Sequence, residues 1–419
     1  MKFIVAQVGA RRGYAVPAIL EKAGMLDRFY TDITGDIGFG ALFSAAAVLP
    51  LVGKSARRLA ARRLPFNIRA KTTTFPGISL FHTLREAMVA RDPAASCREG
   101  VRFSDALGIA MMRRGFGSAT HMYSMLGECG PLFAEGKRRG LVTVSEIYVP
   151  LSTERILAEE RKKFPGWEEN VPDYGAVCRG FESSRGPRAD ADSAICPSEW
   201  VRDDLVRNFG FPSEHTAIVP YGVNPELFSV RNEPVRGRIL FAGTAELRKG
   251  IHYFAAAAEK LLVRRVRCEF RVAGNVERSV ANQEQCRHLK FLGRVPRAKM
   301  TSEFAVADLF VLPSLAEGSA ETIYEALACG VPVVTTFEAG SVVRDGIDGR
   351  IVPSRDPEAL ANAIGEIVDD RQKRERMSRA ARDRAHDYTW ERYGERLLTA
   401  LRQKVEDKPS EPGSGDRNQ

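Results

Sequence analysis

The sequence lacks the residue patterns of zinc proteins and of disulfide-rich proteins. Its 7 cysteines are spread over 419 residues without a C-x-x-C pair, and its 6 histidines form no cluster. Paired cysteines and clustered histidines are what structural zinc sites require. We therefore expect reduced thiols, no dedicated metal site and no cofactor.

Long apolar runs are also missing. The longest uncharged stretch, Ile37–Gly53, contains Gly, Ser and Pro and is too short to predict a membrane span. The opening residues "MKFIVAQVGARRGYAV" become charged too soon for a secretory signal. These absences predict a cytoplasmic protein.

Acidic residues are absent from Ile37 through Arg85, where basic residues follow the apolar run. The basic block comprises Lys54, Arg57, Arg58, Arg62, Arg63, Arg69 and Lys71. An apolar run beside such a block is typical of an element that docks on an anionic membrane surface, where each cation contributes about 1 kcal/mol. A core helix followed by a solvated basic helix fits the same residues equally well. No nucleic-acid motif accompanies the net charge of +9, so nucleic acid is not an expected partner.

The chain length and its hydrophobic rhythm predict two α/β domains. A length of 419 residues exceeds the usual size of a single core. Short apolar runs alternate with helical patterns, which indicates parallel sheets with crossover helices. The predicted strands of the first half are Phe3–Gln7, Ala119–Tyr123, Leu141–Ile147, Ser193–Ser198 and Thr216–Gly222. Those of the second half are Arg238–Gly243, Cys268–Gly274, Leu289–Val295, Asp308–Ser314, Val331–Thr336 and Gly349–Ser354.

The predicted boundaries follow from this rhythm. We expect one domain over residues 1–222, a second over 223–384, a helix over 385–407 and a polar, disordered tail over 408–419. Two such domains that face each other leave a crevice between the carboxyl ends of their strands, where open α/β sheets bind ligands.

Two glutamates in the stretch "EGSAETIYEALACGVPVVTT" lie where that crevice is expected. Glu317 is in the loop after a predicted strand, and Glu325 is inside a helix that ends at Gly330. The amino end of this helix favours a phosphate without any metal. The carboxylate of Glu325 is a bidentate acceptor suited to vicinal hydroxyls such as those of ribose. Carboxylates near helix starts also complement the helix dipole, which is the plainer interpretation.

The stretch "PSLAEGSAETIYEALACGVPVVTT" resembles the E-x7-E signature of retaining glycosyltransferases of the GT-B fold, most closely glycosyltransferase family 4. The segment from Asp190 to Phe228 resembles the inter-domain segment of that family, and "ILFAGTAELRKGIHYFAAAAEKL" resembles its strand, loop and helix with a lysine-glycine pair. "FRVAGN", "LKFLGRV" and "DGIDGRIVP" follow in the family's order. The resemblance is strong from about Asp190 to Tyr393 and weak before it.

The resemblance implies two facing, doubly wound Rossmann-type domains with an inter-domain cleft. Residues 1–222 would bind the acceptor, residues 223–384 the nucleotide sugar, and the helix over 385–407 would cross back to the first domain. The implied reaction is transfer of a sugar, with retention, from a UDP- or GDP-type donor to an acceptor hydroxyl. Saccharide and lipid-linked acceptors of cell-surface polysaccharide, glycolipid or lipid-linked saccharide synthesis, at the inner face of the membrane, are the expected partners. A non-catalytic sugar-nucleotide-binding scaffold and a GT-B epimerase or phosphorylase stay open as alternatives.

The resemblance also assigns residues of the donor side. It implies that Glu317 contacts the donor sugar, Glu325 the ribose and Lys249 the diphosphate. The family's usual arginine after Gly243 is Thr244 here, and Arg248 is the substitute cation. The remaining donor contacts would come from the helix start and from the segment beside the base, namely Gly318, Ser319, Ala320, Glu321, Thr322, Arg294 and Val295.

The first half offers weaker signals. Gly9 and Gly13 lie in the loop after the first strand, where backbone can approach a phosphate or an acceptor closely. We expect Arg11 and Arg12 in that loop to face an anionic group of the donor or the acceptor. Glu146 ends a later strand and is a candidate carboxylate on the acceptor side. His121 resembles a histidine that some family members place near the donor sugar, although a core histidine fits as well.

Overall fold

The computed structural model of the chain describes residues 1–41, 59–90, 92–169, 191–228 and 230–406. Lys54, Arg57, Arg58 and the tail 408–419 lie outside the described residues, so the predictions made for them stay predictions.

The first half of the chain forms a parallel sheet with the strand order β3-β2-β1-β4-β5-β6-β7 over the described residues. Its strands are β1 Phe3–Gln7, β2 Leu26–Thr31, β3 Thr72–Thr74, β4 His121–Met125, β5 Val142–Glu146, β6 Ser193–Cys196 and β7 Thr216–Ile218. The crossover helices are α1 Ala15–Lys22, α2 Pro76–Val89, α3 Pro93–Arg114, α4 Gly130–Arg138, α5 Thr153–Lys163 and α6 Glu199–Phe209.

The second half forms another parallel sheet, ordered β10-β9-β8-β11-β12-β13. Its strands are β8 Arg238–Ala242, β9 Glu269–Ala273, β10 Leu289–Gly293, β11 Leu309–Leu312, β12 Val333–Thr336 and β13 Gly349–Val352. The helices are α7 Ile251–Val263, α8 Arg278–Ala281, α9 Arg297–Val306, α10 Glu321–Ala328, α11 Pro357–Asp369, α12 Arg371–His386 and α13 Trp390–Glu406.

Both sheets reverse their strand order at one point, between β1 and β4 and between β8 and β11. Crossover loops diverge there, and the resulting crevice at the carboxyl ends of the strands is where such sheets bind ligands. The expected pair of doubly wound domains is therefore confirmed, and it directs attention to the loops after β1, β4, β8 and β11.

The sequence did not predict β2 and β3, which complete one side of the first sheet. In β2 the side chains of Asp27 and Arg28 are half-buried, and β3 consists of three half-buried threonines at the sheet edge. β3 is the edge strand and β2 is its neighbour, and both keep polar side chains partly in contact with water, so they lack the continuous apolar run of a central strand.

The chain passes between the domains near residues 223 and 389, where the two passages touch. Val223 N donates to Tyr388 O over 2.8 Å. Helix α12 then packs on α10 and α11, whereas α13 contacts β7 and α1 of the first sheet, with Tyr393 buried. The last described helix thus starts in the second domain and covers the first.

The carboxyl edges of the sheets meet at Gly318. Ser198, at the start of α6, donates its hydroxyl to Gly318 O over 2.6 Å. A Cβ atom on Gly318 would lie 1.9 Å from Tyr148 O, so any larger residue would push the domains apart. The loop after β11 is therefore held against the first domain.

Candidate functional site

The loop after β11 is fixed by main-chain hydrogen bonds to the loops on both sides. Leu315 N donates to Arg248 O over 2.8 Å, and Glu317 N donates to Glu338 O over 2.9 Å. Because these partners follow β8 and β12, the loop that carries Glu317 is braced between two neighbouring strand ends.

Glu317 holds two cations at the carboxyl edge of the second sheet. Its Oε1 lies 2.5 Å from Lys249 Nζ and 2.8 Å from Arg248 Nη1. Burial by itself raises the pKa of Glu317, but Lys249 and Arg248 outweigh it and lower the pKa below the usual 4.5. Arg248 is also paired with Glu246 over 2.7 Å. Glu317 is therefore an ionised carboxylate, and another anion can replace it as the partner of the two cations.

Lys249 reaches Glu317 because residue 243 has no side chain. Gly243 follows β8 with φ at 138°, and a Cβ atom there would lie 2.9 Å from both Cδ and Cε of Lys249. Thr244, where the family has arginine, comes next and is half-buried. The sequence-predicted Gly243, Arg248, Lys249 and Glu317 are therefore gathered at two adjacent strand ends.

The start of α10 provides groups for a phosphate. The helix begins at Glu321, one residue after the buried Ala320, and ends before Gly330, as expected from the sequence. The Ser319 hydroxyl is used inside the loop, where it bonds Tyr324 Oη over 2.6 Å and Gly340 O over 2.7 Å. Thr322 Oγ1 is buried without a hydrogen-bond partner among the described residues. An unpaired hydroxyl beside the free N–H groups of a helix start suits an oxyanion.

Glu325 lies one turn further along α10 and pairs with an arginine that sequence reasoning missed. Arg297 Nη2, at the start of α9, is 2.8 Å from Glu325 Oε1. Burial raises the pKa of Glu325 to about 7, with Arg297 opposing and Glu321 adding to the rise. Arg297 comes soon after the segment "FLGRV", but only the fold brings it to α10. Arg294 is exposed and Val295 is half-buried, both directly after β10.

In the first domain, Arg11 lies against Tyr148, the residue that abuts the loop of Gly318. Its guanidinium lies 4.2 Å from the ring centre of Tyr148, whose carbonyl abuts Gly318. It donates to Glu128 Oε1 over 2.7 Å, and its side chain stays 37% exposed. Glu128, which also accepts from Val8 N over 2.7 Å, was not predicted, because nothing in "GECG" sets it apart.

Gly9 and Gly13 keep the loop after β1 open. Both have positive φ, at 74° and 61°, and a Cβ atom on either would meet nothing within 4 Å. Gly9 N donates to Asp32 Oδ1 over 2.8 Å. The backbone here has room beside it for a ligand.

Arg12 and Glu146 do not face the cleft as acceptor-side groups, which corrects the expectation for both. They are bonded to each other in a buried ion pair, and Tyr123 Oη donates to Glu146 over 2.6 Å. The Arg12 guanidinium lies 4.4 Å from the ring centre of Tyr221 and 5.9 Å from that of Tyr393. The pair therefore ties the loop after β1 to α13 and leaves no free charge for an acceptor.

His121 is not near the donor side, and the prediction for it is wrong. It begins β4 and pairs with Phe3, so it lies at the amino edge of the sheet, opposite the cleft. Its ring packs on Phe3 with 4.9 Å between ring centres. The predicted strand was placed too early in the chain, which turned its start into an apparent end.

Neither a metal-binding cluster nor a helix able to span a bilayer is present among the described residues. Within the described ranges no group of three or more His, Cys, Asp or Glu is arranged to hold a metal ion. The sequence does contain one D-x-D triplet, Asp190–Asp192, but the Asp192 carboxylate precedes β6 at the edge away from the cleft and accepts from Thr143 N over 2.8 Å. Among the helices that are described, none is long and apolar enough to cross a bilayer.

Comparison with known proteins connects this geometry to a family. Residues 236–370 match the family model described as "Glycosyl transferases group 1". The chain is 29% identical over 225 residues to a D-inositol 3-phosphate glycosyltransferase of Paenarthrobacter aurescens, with 48% of this chain and 55% of the relative covered. It is 33% identical over 184 residues to a phosphatidyl-myo-inositol mannosyltransferase of Mycolicibacterium smegmatis, with 41% and 48% covered. The chain thus spans about half the length of the curated relatives it matches.

Solved structures extend the likeness to both domains. Sucrose-phosphate synthase from Thermosynechococcus elongatus has a TM-score of 0.63 at 15% identity, covering 97% of this chain and all of that one (100%). Anabaena Alr3699/HepE in complex with UDP and glucose has a TM-score of 0.60 at 16% identity, covering 96% and 99%. At these identities the likeness is one of fold.

Glu325→Gln is expected to stabilise the protein at pH 8 and to change little at pH 5. The pKa of Glu325 is raised from 4.5 to about 7, so between these two pH values the folded protein holds a proton that the unfolded chain has released. The free energy of unfolding therefore falls as pH rises through this range, by at most about 3 kcal/mol at roughly 1.4 kcal/mol per pKa unit. Urea unfolding at both pH values measures the change.

Glu317→Gln is the matched control, because the pKa of Glu317 is shifted in the opposite direction. Its ionised form contributes stability above pH 4.5, so this variant should lose stability at pH 8. If Glu325→Gln lost as much free energy of unfolding at pH 8 as Glu317→Gln, the opposite pKa shifts of the two glutamates would be contradicted.

Proposed function

We propose that this chain transfers a sugar from a nucleoside-diphosphate donor to an acceptor hydroxyl with retention. The chain is a GT-B glycosyltransferase that resembles family 4, and its residues 236–370 match the glycosyl transferases group 1 family. The observation that carries the proposal is the cluster of Glu317, Lys249 and Arg248 at the switch point of the second sheet. In this cluster a carboxylate suited to bind sugar hydroxyls lies within hydrogen-bonding distance of two cations suited to bind phosphate.

In the proposed reaction, the diphosphate takes over the cations that Glu317 holds in the free protein. The bond between the anomeric carbon and the diphosphate oxygen breaks, and a bond from the same carbon to the acceptor oxygen forms on the same face. The acceptor proton goes to the leaving phosphate oxygen. Lys249, Arg248 and the N–H groups at the start of α10 stabilise the charge that develops there. Glu317, released from the cations, accepts hydrogen bonds from the sugar hydroxyls.

The nucleoside would bind along α10 and the end of β10. An ionised Glu325 accepts from the two ribose hydroxyls, with Arg297 fixing its orientation at 2.8 Å. Arg294 and Val295 border the space for the base. The structural neighbour crystallised with UDP and glucose favours a UDP-type donor over a GDP-type donor for this fold.

For the acceptor, we propose a polyol or saccharide that carries an anionic group. Arg11 is partly exposed and lies beside the loop of Gly318, so an acceptor bound there presents its hydroxyl to the donor. The names of the two relatives include inositol 3-phosphate and phosphatidyl-myo-inositol, both phosphate-bearing polyols. An acceptor of cell-surface polysaccharide, glycolipid or lipid-linked saccharide synthesis satisfies this chemistry.

A lipid-linked acceptor is favoured by an apolar stripe on α2. Phe81, Leu84 and Met88 lie on one face of this helix and are 60%, 68% and 84% exposed. Another face of the helix packs on α3, where the ring of His82 stacks on that of Phe103 with 4.0 Å between ring centres. Helix α2 begins directly after β3, at the same sheet edge as the cleft.

The charge around this stripe complements an anionic bilayer. Residues 32–90 contain eight Lys or Arg and three Asp or Glu, so the segment carries five excess positive charges. Within it, Arg63 is exposed, whereas Arg62 is paired with Asp32 over 3.0 Å. We propose that α2 and the basic block dock the first domain on the inner face of the membrane.

The donor assignment predicts that one of UDP, GDP or ADP raises the melting temperature. A ligand at a hundred times its dissociation constant stabilises a protein by about 2.7 kcal/mol. Glu325→Ala should lose the response, because it lacks the ribose acceptor, while Glu99→Gln, a buried carboxylate on α3 whose partners His82 and Arg85 lie on α2, should keep it. Differential scanning fluorimetry gives the answer, and a wild-type protein indifferent to all three nucleotides would remove the basis of the proposal.

Glu317→Gln should lower the turnover of sugar transfer by at least about a hundredfold, since it removes a preorganised charge at the reacting centre. Nucleotide release measured with and without acceptor provides the rate, and NMR of the product gives the anomeric configuration. Acceptor-dependent release with retention is the expected outcome. Donor interconversion without an acceptor would favour the epimerase, and nucleotide binding without any turnover would favour the scaffold.

Docking on the bilayer predicts flotation with vesicles that contain phosphatidylglycerol, weakened by salt, and little flotation with phosphatidylcholine alone. Replacing Phe81, Leu84 and Met88 by serine should abolish it. The control is serine at Val235, Val263 and Ile347, which are exposed apolar residues of the second domain. Equal flotation of both triple variants would exclude α2 as the docking element.

A further inference from the structure

Residues 153–169, which comprise α5 and the turn after it, lie on the second domain although they precede β6 of the first. We call them the docked segment. Ser279 Oγ donates to Trp167 O, and Gln283 Nε2 donates to Gly166 O, each over 3.1 Å. Both donors belong to α8 and the residues after it, so the main chain of the docked segment is bonded to the donor-binding half.

Glu160 is the centre of this contact. The residue is fully buried at 0% exposure, and its Oε1 accepts from His252 Nε2 over 3.0 Å and from Tyr253 Oη. Its Oε2 accepts from Arg355 Nε over 2.8 Å. Burial alone raises the pKa of Glu160, but these three donors outweigh it and lower the pKa to about 2. An ionised carboxylate from the first half is thus satisfied entirely by the second.

Aromatic rings hold the histidine of this cluster in place. The ring centre of His252 lies 4.4 Å from that of Phe164 and 5.6 Å from that of Trp167. Trp167 is 3% exposed, and its ring together with that of Phe164 shields the imidazole from solvent. Burial lowers the pKa of His252, which makes it a neutral N–H donor to Glu160.

A second carboxylate of the docked segment reaches the turn that carries the cations. Leu247 N donates to Glu168 Oε1 over 3.4 Å, and Arg161 Nε fixes Glu168 Oε2 over 2.7 Å. Leu247 opens the single turn Leu247–Lys249, and His252 follows it after only Gly250 and Ile251. The docked segment therefore contacts the cation-bearing turn at both of its ends.

We propose that Glu160 and Glu168 are positioning residues that hold Arg248 and Lys249 where the donor diphosphate needs them. The inference rests on the proposed function, in which these cations bind the diphosphate. The second domain's own sheet fixes the turn on one side, through the bond from Leu315 N to Arg248 O. The docked segment fixes the other side, so the cation pair depends on residues that the chain contributes from its first half.

This arrangement also connects the two halves of the reaction. The docked segment follows Tyr148 closely along the chain, and Tyr148 abuts Gly318 and stacks against Arg11. A displacement of α5 would therefore reach both the cations and the acceptor side. A second domain separated from residues 153–169 should bind the donor poorly.

The test compares Glu160→Gln with Glu99→Gln, another buried and paired carboxylate that lies on α3. The measurements are the melting temperature, the donor KM and kcat, and the affinity for the nucleoside diphosphate among UDP, GDP and ADP to which the wild type responds. Both variants should melt earlier. Only Glu160→Gln should raise the donor KM and weaken nucleotide binding, by about tenfold to a hundredfold, because small misplacements of binding groups are costly.

Glu168→Gln gives a milder variant should Glu160→Gln fail to fold, since it removes the negative charge that Arg161 and Leu247 N share and leaves Glu160 with all its donors. It should weaken nucleotide binding severalfold with little change in melting temperature. Wild-type KM and affinity in both Glu160→Gln and Glu168→Gln would overturn the positioning role while leaving the proposed function intact. A wild type without nucleotide response or transfer would overturn both.

Discussion

The charge balance between Glu317 and the pair Arg248 and Lys249 is the interaction on which the site depends. The two cations are consecutive residues of one turn and repel each other, and their partial burial removes the water that would screen them. Glu317, 2.5 Å and 2.8 Å from them, pairs with both in the free protein, and Glu246 adds a second carboxylate 2.7 Å from Arg248. A diphosphate brings enough negative charge to replace Glu317. In the proposed reaction the same electrostatic requirement is met by Glu317 before binding and by the substrate afterwards, and Glu317 is then available to the sugar.

The position of that balance is fixed by contacts between the domains as well as within them. Gly318, next to Glu317, leaves no room for a side chain against Tyr148 O, and it accepts a hydrogen bond from Ser198. The turn with Arg248 and Lys249 is held by the docked segment. The loop with Glu317 and the turn with Arg248 and Lys249 are thus each held by one contact within the second domain and by one contact with the first half of the chain. Motion of one domain relative to the other should change the distance between carboxylate and cations.

The placement of Glu317, Lys249 and Glu325 could be predicted from the sequence because these residues are close to strong local signals. Glu317 and Lys249 follow buried strands, and Glu325 lies in a helix with a clear apolar pattern and a terminal glycine. Parallel strands bring their carboxyl ends to one edge, so the strand pattern alone places these residues near each other. The doubly wound fold followed from the same alternation of strands and helices.

The first-domain groups could not be predicted in this way, since their roles depend on tertiary contacts. Arg12 and Glu146 looked like free charges in loops, yet the fold pairs them with each other among tyrosines. Arg297 and Glu160 acquire their partners from elements far away in the chain. The error at His121 came from the boundary of a strand, where a shift of a few residues moves a side chain from one edge of the sheet to the other.

Three glutamates, two of them buried and Glu317 half-buried, differ in how many partners satisfy their carboxylates. Glu160 has three donors and a pKa of about 2, which makes its charge permanent. Glu317 has two cations, enough to keep it ionised but shared with groups that a ligand also seeks. Glu325 has one arginine and a neighbouring acid, and its pKa rises to about 7. A carboxylate left short of partners costs stability, and proteins tolerate that cost mainly at sites where a ligand supplies the missing bonds. In the proposed function ribose hydroxyls supply them, so the least satisfied of the three carboxylates is the one that we assign to the nucleoside.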